Sequence, residues 1–205
     1  MSQFSSNNTT MHSTNKIKPL STLDDSVLME KLQDGQTDKL GLLFERYHKR
    51  LFGFFMKLTR GKQSLSEDLV QNTFFRVLKY KKTYDPTKKF STWVYQIGRN
   101  VFYDQCNRKS SDEYSVDDFS YNEPSTTMDS PFDEDDLRKQ ILEKALDELP
   151  DDKREILVLS RYEGLKYKEI GDILGCTENA VKVKAHRSMK ELKKICSQLE
   201  KSMAI

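Results

Sequence analysis

The sequence has few of the residues that make turns, with 8 Gly and 5 Pro among 205 residues. All-β domains with many short strands need frequent glycine- and proline-containing turns, so this scarcity argues against them. Hydrophobic residues make up only 36% of the chain and charged residues 32%. This balance is typical of small helical domains with a large solvated surface, and the length allows one medium-sized domain or two small ones.

Long apolar runs are also missing. No stretch of about 18 consecutive apolar residues occurs, and the first twenty residues are rich in Ser, Thr and Asn. We therefore predict neither a transmembrane helix nor a secretion signal, and we expect a cytoplasmic protein. The three cysteines, Cys106, Cys176 and Cys196, include no CxxC pair, so we interpret them as free thiols.

Histidine is scarce and dispersed. His12, His48 and His186 lie far apart, and no glycine-rich phosphate loop is present. An all-helical metalloenzyme, such as a phosphohydrolase, would need clustered His and Asp ligands. We expect no metal, no cofactor, no small-molecule substrate and no catalytic residue, and the metalloenzyme remains a minor alternative.

The net charge of +2 conceals a segregation of charge along the chain. Residues 21–110 carry 17 basic and 10 acidic side chains, and residues 137–205 carry 15 basic and 12 acidic ones. Between them, residues 111–136 carry ten acidic side chains and no basic one. This acidic stretch has few large aliphatic residues, which is typical of a solvated linker. The alternative is an acidic surface loop inside a single domain.

The charge boundaries and the hydrophobic pattern together predict the organisation of the chain. We expect an all-α protein with two small helical domains joined by a flexible acidic linker. The predicted segments are a disordered tail at 1–21, a first domain at 22–110, the linker at 111–136 and a second domain at 137–205.

Apolar residues of the first domain recur at three- and four-residue spacing, as on one buried face of a helix. We predict a short helix from Asp24 to Asp34 and three longer helices that begin near Asp38, Ser66 and Ser91. Trp93 lies on the apolar face of the last helix and is expected in the core. Tyr95, Arg99, Asn100 and Tyr103 are expected to be exposed.

The second domain has the outline of a helix-turn-helix. A helix begins after Pro150 and ends at Gly164, a short helix spans 166–174, and a turn at 175–177 precedes a long helix. Gly171 lies in the middle of the short helix, where glycine costs about 1 kcal/mol relative to alanine. We interpret it as the position where the second helix of the pair approaches closely.

The spacing along the last helix predicts which face is buried. Val181, Ala185, Ser188 and Leu192 form the inner face, so the intervening basic side chains point outwards. A basic exposed face on the second helix of such a pair suits entry into the DNA major groove. An ordinary solvated amphipathic helix is the alternative.

Both domains resemble parts of one family. The runs Glu67–Phe74 and Phe90–Asn100 resemble region 2 of bacterial RNA polymerase sigma factors. The runs Leu146–Pro150, Tyr167–Gly171 and Val181–Lys184 resemble region 4. Two regions without a region 3 domain indicate the extracytoplasmic-function (ECF) group of alternative sigma factors.

The resemblance implies partners and a division of roles. The expected partners are core RNA polymerase, through its β′ clamp and β flap, promoter DNA, and a possible anti-sigma factor. Core binding is implied for Asp68, Gln71 and Asn72. Contact with the minus-10 element is implied for Lys81, Lys82, Lys88, Lys89, Tyr95, Arg99 and Asn100. Contact with the minus-35 element is implied for Thr177, Glu178, Asn179, Lys182, Val183, His186, Arg187 and Lys190.

A stand-alone helix-turn-helix transcription regulator is the alternative function. It explains the second domain and its basic charge equally well. It does not explain the segment from 67 to 104, which resembles the part of a sigma factor that binds polymerase and melted DNA.

Overall fold

The computed structural model describes residues 23–111 and 134–203. Within these ranges the secondary structure is helical, and no strand occurs. The helices are α1 (Asp25–Gln33), α2 (Lys39–Leu58), α3 (Gln63–Tyr80), α4 (Phe90–Ser111), α5 (Glu134–Glu148), α6 (Asp151–Leu157), α7 (Tyr167–Leu174) and α8 (Glu178–Met203). A 3-10 turn at Lys81–Thr83 follows α3, and a π-helical turn at Val158–Tyr162 follows α6.

Helices α1 to α4 form the first domain around an aromatic core. Phe54 and Phe55 of α2 are fully buried, and the ring of Phe54 meets that of Tyr95 edge-on with centroids 5.3 Å apart. Gly98 of α4 lies directly against α2, because a Cβ atom there would be 3.1 Å from the edge of the Phe55 ring. Trp93 is half-buried and contacts Tyr84 and Phe90, in agreement with its predicted place in the core.

One predicted helix start is wrong. Helix α3 begins at Gln63, and Ser66 lies inside it, fully buried. The Ser66 hydroxyl donates to the carbonyl oxygen of Lys62 and pairs with the Thr59 hydroxyl at 2.9 Å, so it joins the two helices instead of capping one. Helix α4 begins at Phe90, in agreement with the start predicted near Ser91.

The helices also extend into both ends of the stretch predicted as a linker. Helix α4 continues to Ser111, and α5 begins at Glu134. Residues 112–133 lie outside the described residues, as does the predicted tail.

Helices α5 to α8 form the second domain, in which α8 packs against α5, α6 and α7. Arg154 of α6 is fully buried at the corner between α5 and α6. Its guanidinium donates to the backbone oxygens of Leu146, Asp147 and Leu149 at 2.6–2.9 Å, which satisfies the carbonyl end of α5.

The two domains are in contact. Helix α4 packs against α7, and α2 packs against α6 and the π-helical turn. Arg60 follows α2 and donates to the backbone oxygen of Asp147 and to the Asp151 carboxylate. Lys57 lies 4.2 Å from the centre of the Tyr162 ring. The sequence pattern did not predict this packing.

Candidate nucleic-acid interface

The turn before α8 depends on the absence of a side chain at Gly171. A Cβ atom at this position would lie 2.6 Å from the backbone oxygen of Cys176, and the Cys176 N–H donates to the Gly171 oxygen at 2.9 Å. Gly175 ends α7 in the left-handed conformation, with φ of +67°. A close approach at Gly171 is therefore present, but the nearest backbone belongs to the turn at Cys176, and α8 follows with the Glu178 nitrogen 3.5 Å away.

Helix α8 buries the predicted inner face and exposes the predicted outer one. Val181, Ala185, Ser188 and Leu192 are all buried. The exposed side chains of the predicted minus-35 set are Thr177, Glu178, Asn179, Lys182, Val183, His186, Arg187 and Lys190. Val183 is half exposed, which is unusual for an apolar residue and suits contact with a thymine methyl group.

The N-terminus of α8 is held by local contacts. The Thr177 hydroxyl accepts a hydrogen bond from the Ala180 N–H at 3.2 Å, so Thr177 caps the helix. Glu178 pairs with Lys182 at 2.8 Å, and this pairing lowers the pKa of the Glu178 carboxyl.

The predicted minus-10 lysines fall into two groups. Lys82, Lys88 and Lys89 are exposed around the loop between α3 and α4. Lys81 instead braces α1, because its ammonium donates to the Leu32 oxygen at 2.9 Å, and its own oxygen accepts from Gln33.

A cleft of about 350 Å³ adjoins the loop. Its wall includes Tyr47, Tyr84 and Phe90, with Lys88 and Lys89 at the same cleft. The Tyr84 hydroxyl donates to the Lys88 oxygen at 2.6 Å, and burial raises the pKa of Tyr84 to about 12. The three aromatic residues are buried, with at most 8% of their surface exposed, and Asp25 also lines the cleft, so its exposed cations are Lys88 and Lys89.

The expectation that Tyr95 is exposed is wrong. Tyr95 is fully buried, and its hydroxyl donates to the carboxylate of Glu163 in the second domain. Burial, and then the charge of Glu163, raises the pKa of Tyr95. The Tyr95 ring packs on Phe54 of the first-domain core, and its hydroxyl reaches Glu163 of the second domain, so both domains cover this side chain.

Arg99 and Tyr103 are half-buried rather than fully exposed, because both contact Glu155 of α6. The Arg99 Nε and Glu155 Oε1 atoms lie 2.9 Å apart as an ion pair, although their angle does not fit a hydrogen bond. The Tyr103 hydroxyl donates to Glu155 Oε2 at 3.0 Å. Burial raises the pKa of the Glu155 carboxyl, and Arg99 opposes this change. Asn100 is exposed, as predicted.

Helix α3 presents the predicted polymerase-binding face to solvent. Asp68, Gln71 and Asn72 are exposed, and Phe75 lies on the same side of the helix with 66% of its surface exposed. The sequence analysis missed Phe75. Phe75 lies at i+3, i+4 and i+7 from the polar positions 72, 71 and 68, and this spacing was the available signal.

The part of the chain that the structure describes contains no group of three or more His, Cys, Asp or Glu side chains placed to hold a metal ion. No described helix is long and apolar enough to cross a membrane.

Comparisons with known proteins match both halves of the chain. The family model "Sigma-70 region 2" matches residues 43–111, and "Sigma-70, region 4" matches residues 139–192. The chain is 34% identical over 179 residues to RNA polymerase sigma factor CarQ of Myxococcus xanthus, covering 86% of this chain and 99% of CarQ. It is 30% identical over 151 residues to ECF RNA polymerase sigma factor SigM of Bacillus subtilis (strain 168), covering 74% and 91%.

Two solved structures share the fold. One is CnrH in complex with the cytosolic domain of CnrY, with a TM-score of 0.64 and 21% identity over 85% of this chain and 97% of that one. The other is the sigma factor RpoE in complex with the anti-sigma factor NepR from Bartonella quintana, with a TM-score of 0.56 and 24% identity over 73% and 91%.

The two helical domains, which match sigma-70 regions 2 and 4, define a sigma-70-type protein. Within that class, the chain belongs to the ECF RNA polymerase sigma factors.

Proposed function

We propose that the two domains of this sigma factor divide promoter recognition between them. The second domain reads the minus-35 element, and the first domain binds core polymerase and the minus-10 element. The observation that carries this proposal is the exposed outer face of α8, the helix that follows the turn packed against Gly171.

In the second domain, the outer face of α8 enters the major groove. Lys182, Val183, His186 and Arg187 are exposed together, opposite the buried Val181 face. An arginine can donate two parallel hydrogen bonds to guanine, so we assign base reading to Arg187. Lys190 lies one turn further along α8, and we assign it to the phosphate backbone.

In the first domain, the loop between α3 and α4 binds the unpaired minus-10 strand. Lys82, Lys88 and Lys89 supply positive charge for the strand backbone, and the adjoining cleft offers space for a base that has left the stack. Arg99 is assigned to the strand backbone and Asn100 to a base edge. Lys81 supports this loop from behind through its bond to Leu32.

Core polymerase binds the exposed face of α3. Asp68, Gln71 and Asn72 provide polar contacts on this face, and Phe75 adds an apolar anchor. We assign the β′ clamp to this face and the β flap to the second domain.

The proposed activity needs no covalent step. Binding energy places polymerase on the promoter and holds the melted strand, so we assign no catalytic residue. Because polymerase and promoter DNA are the partners, we place the protein in the cytoplasm. The solved relatives RpoE and CnrH are bound to the anti-sigma factor NepR and to the cytosolic domain of CnrY, respectively. We propose that the present chain is likewise bound by an inhibitory protein.

Run-off transcription in vitro tests the proposal. Core polymerase is incubated with genomic fragments, with and without this protein, and new start sites are mapped. We expect start sites that appear only when the protein is added. A stand-alone regulator would bind promoter duplex by itself. Its addition to core polymerase would produce no new start sites.

A further inference from the structure

Helix α8 continues past the end of the region 4 match. The match ends at residue 192, whereas α8 runs as one helix to Met203. At 1.5 Å per residue, the part beyond residue 192, which we call the α8 extension, adds about 16 Å to the helix. Ile195 is buried and Leu199 packs against the core. The extension is therefore a packed part of the second domain.

The extension begins with lysines on the side of α8 that carries the proposed base-reading residues. Lys190, Lys193 and Lys194 are exposed. Lys194 lies seven residues, or about two turns, after Arg187, so both side chains leave the helix in nearly the same direction. Lys193 stands in the same relation to His186. The two lysines thus lie on either side of Lys190.

No acidic side chain neutralises this cluster. In the part of the chain that the structure describes, Lys190, Lys193 and Lys194 form no ion pair. Glu191 lies among them in the sequence, but its carboxylate is paired with Lys153 of α6. The three positive charges therefore face outwards together.

This arrangement disfavours the helix itself. Lys190 and Lys194 are four residues apart, and like charges at that spacing destabilise a helix. The start of α8 has the opposite arrangement, because Glu178 precedes Lys182 by four residues and pairs with it at 2.8 Å. A face that only meets water is better served by such opposite charges. The unpaired lysines indicate a polyanionic partner.

The spacing along α8 fits the phosphates at the edge of the major groove. Arg187 and Lys194 are about 10 Å apart along the helix, close to the groove width of about 12 Å. A helix whose first half lies in the groove crosses the phosphate backbone as it leaves. Lys201 lies about 10 Å further along, where the DNA surface has curved away from a straight helix.

We propose that Lys193 and Lys194 bind the phosphates that flank the minus-35 element and add a sequence-independent contact to the base-reading one. This inference rests on the proposed function, because it takes the outer face of α8 as the side that faces DNA. Phosphate contacts fix the position of a protein on the duplex without reading its sequence.

Single lysine variants with a control on the same helix test the proposal. The variants are K193Q, K194Q and their double combination, and the control is K201Q. Lys201 is also exposed and loses the same charge. Each full-length variant is reconstituted with core polymerase and assayed on a promoter found by run-off transcription. Circular dichroism checks that each variant remains helical.

The first measurement is the dependence of promoter affinity on salt between about 50 and 200 mM. Each phosphate contact contributes about 0.9 to the slope of log affinity against log salt. We expect K193Q and K194Q each to reduce the slope by about one unit and the double variant by about two. K201Q should leave it unchanged. Equal slopes for K194Q and K201Q overturn the proposal.

The second measurement locates the phosphates. Neutral methylphosphonates replace single phosphates on both strands, on each side of the minus-35 element. We expect the wild type to lose affinity at a few flanking positions, and the double variant to be insensitive at those same positions, as in a double-mutant cycle for a direct contact. Equal sensitivity of the wild type and the double variant overturns the proposal.

The third measurement compares matched and scrambled minus-35 elements. The double variant should keep the wild-type preference, because phosphate contacts carry no sequence information. A reduced preference would assign these lysines to the bases and overturn the proposal. An unchanged salt slope with weaker assembly on core would instead identify an acidic polymerase surface as the partner, and it also overturns the proposal.

Failure of the proposed function gives a different result. It appears as an absence of start sites in run-off transcription by the wild type. Start sites that are present, together with equal salt slopes for K194Q and K201Q, contradict only the role of the α8 extension.

Discussion

The guanidinium of Arg154 in the second domain donates to the backbone oxygen of Leu58 in the first, at 3.3 Å and across 96 positions of sequence. Arg154 also satisfies three carbonyls at the end of α5. One fully buried side chain therefore stabilises a corner of its own domain and the contact between the domains.

We expect R154M to lower the free energy of unfolding by about 2–4 kcal/mol, because the change leaves several buried carbonyls without a donor. Urea denaturation followed by circular dichroism measures the loss. R161M is the control, since Arg161 is exposed. A loss no larger than that of R161M would mean that water replaces the guanidinium.

G171A should destabilise the second domain by about 1–3 kcal/mol, because the new methyl group lies too close to the Cys176 oxygen and that atom belongs to the backbone. G53A is the matched control within a helix. Nothing lies within 4 Å of a Cβ at Gly53, so this change should stabilise by about 0.5–1 kcal/mol. Thermal denaturation compares the two, and equal effects would rule out the close approach.

R187A should lose preference at one position of the minus-35 element, at a cost of about 1–3 kcal/mol in discrimination. K190A should weaken binding to all sequences alike and reduce the salt dependence by about one unit of slope. Both variants are assayed with reconstituted holoenzyme on matched and scrambled upstream elements. An even loss for R187A would move base reading to Thr177, Glu178 or Asn179.

The double variant D68A/Q71A, and separately F75S, should weaken binding to core polymerase about tenfold or more, because these side chains form the exposed face of α3. Circular dichroism should remain helical. The control E45A/K49A removes exposed side chains from α2 instead. Unchanged affinity of D68A/Q71A and F75S for core would rule out this face as the docking surface.

Ionisation of Tyr84 should lower the free energy of unfolding at alkaline pH. Its pKa is raised to about 12 by burial, so its contribution is complete below the ordinary phenol pKa of about 10 and is lost as pH rises towards 12. Y84F loses the bond to Lys88 and should be about 1 kcal/mol less stable at pH 8. Urea denaturation from pH 8 to 12 should show this gap close and then reverse, because two units of pKa correspond to about 2–3 kcal/mol. A constant gap would contradict the assigned pKa.

The sequence by itself determined that the two domains are helical and which face of α8 is exposed. Hydrophobic spacing is a local property, so Val181, Ala185 and Ser188 could be placed on the buried face, and Arg187 on the exposed face, without any distant contact. The close approach at Gly171 could also be predicted from the sequence, because a mid-helix glycine beside a tight turn needs a steric reason.

Only the tertiary structure decided what covers α4. Helical periodicity separates an apolar face from the others, but it does not show that a second domain covers a polar one. Tyr103 meets Glu155 across 52 positions, and Tyr95 meets Glu163 across 68. Such pairs arise when two separate domains dock, and no local spacing encodes them. The pairing of Tyr95 with Glu163 and of Arg99 with Glu155 could therefore not be predicted from the pattern along one helix.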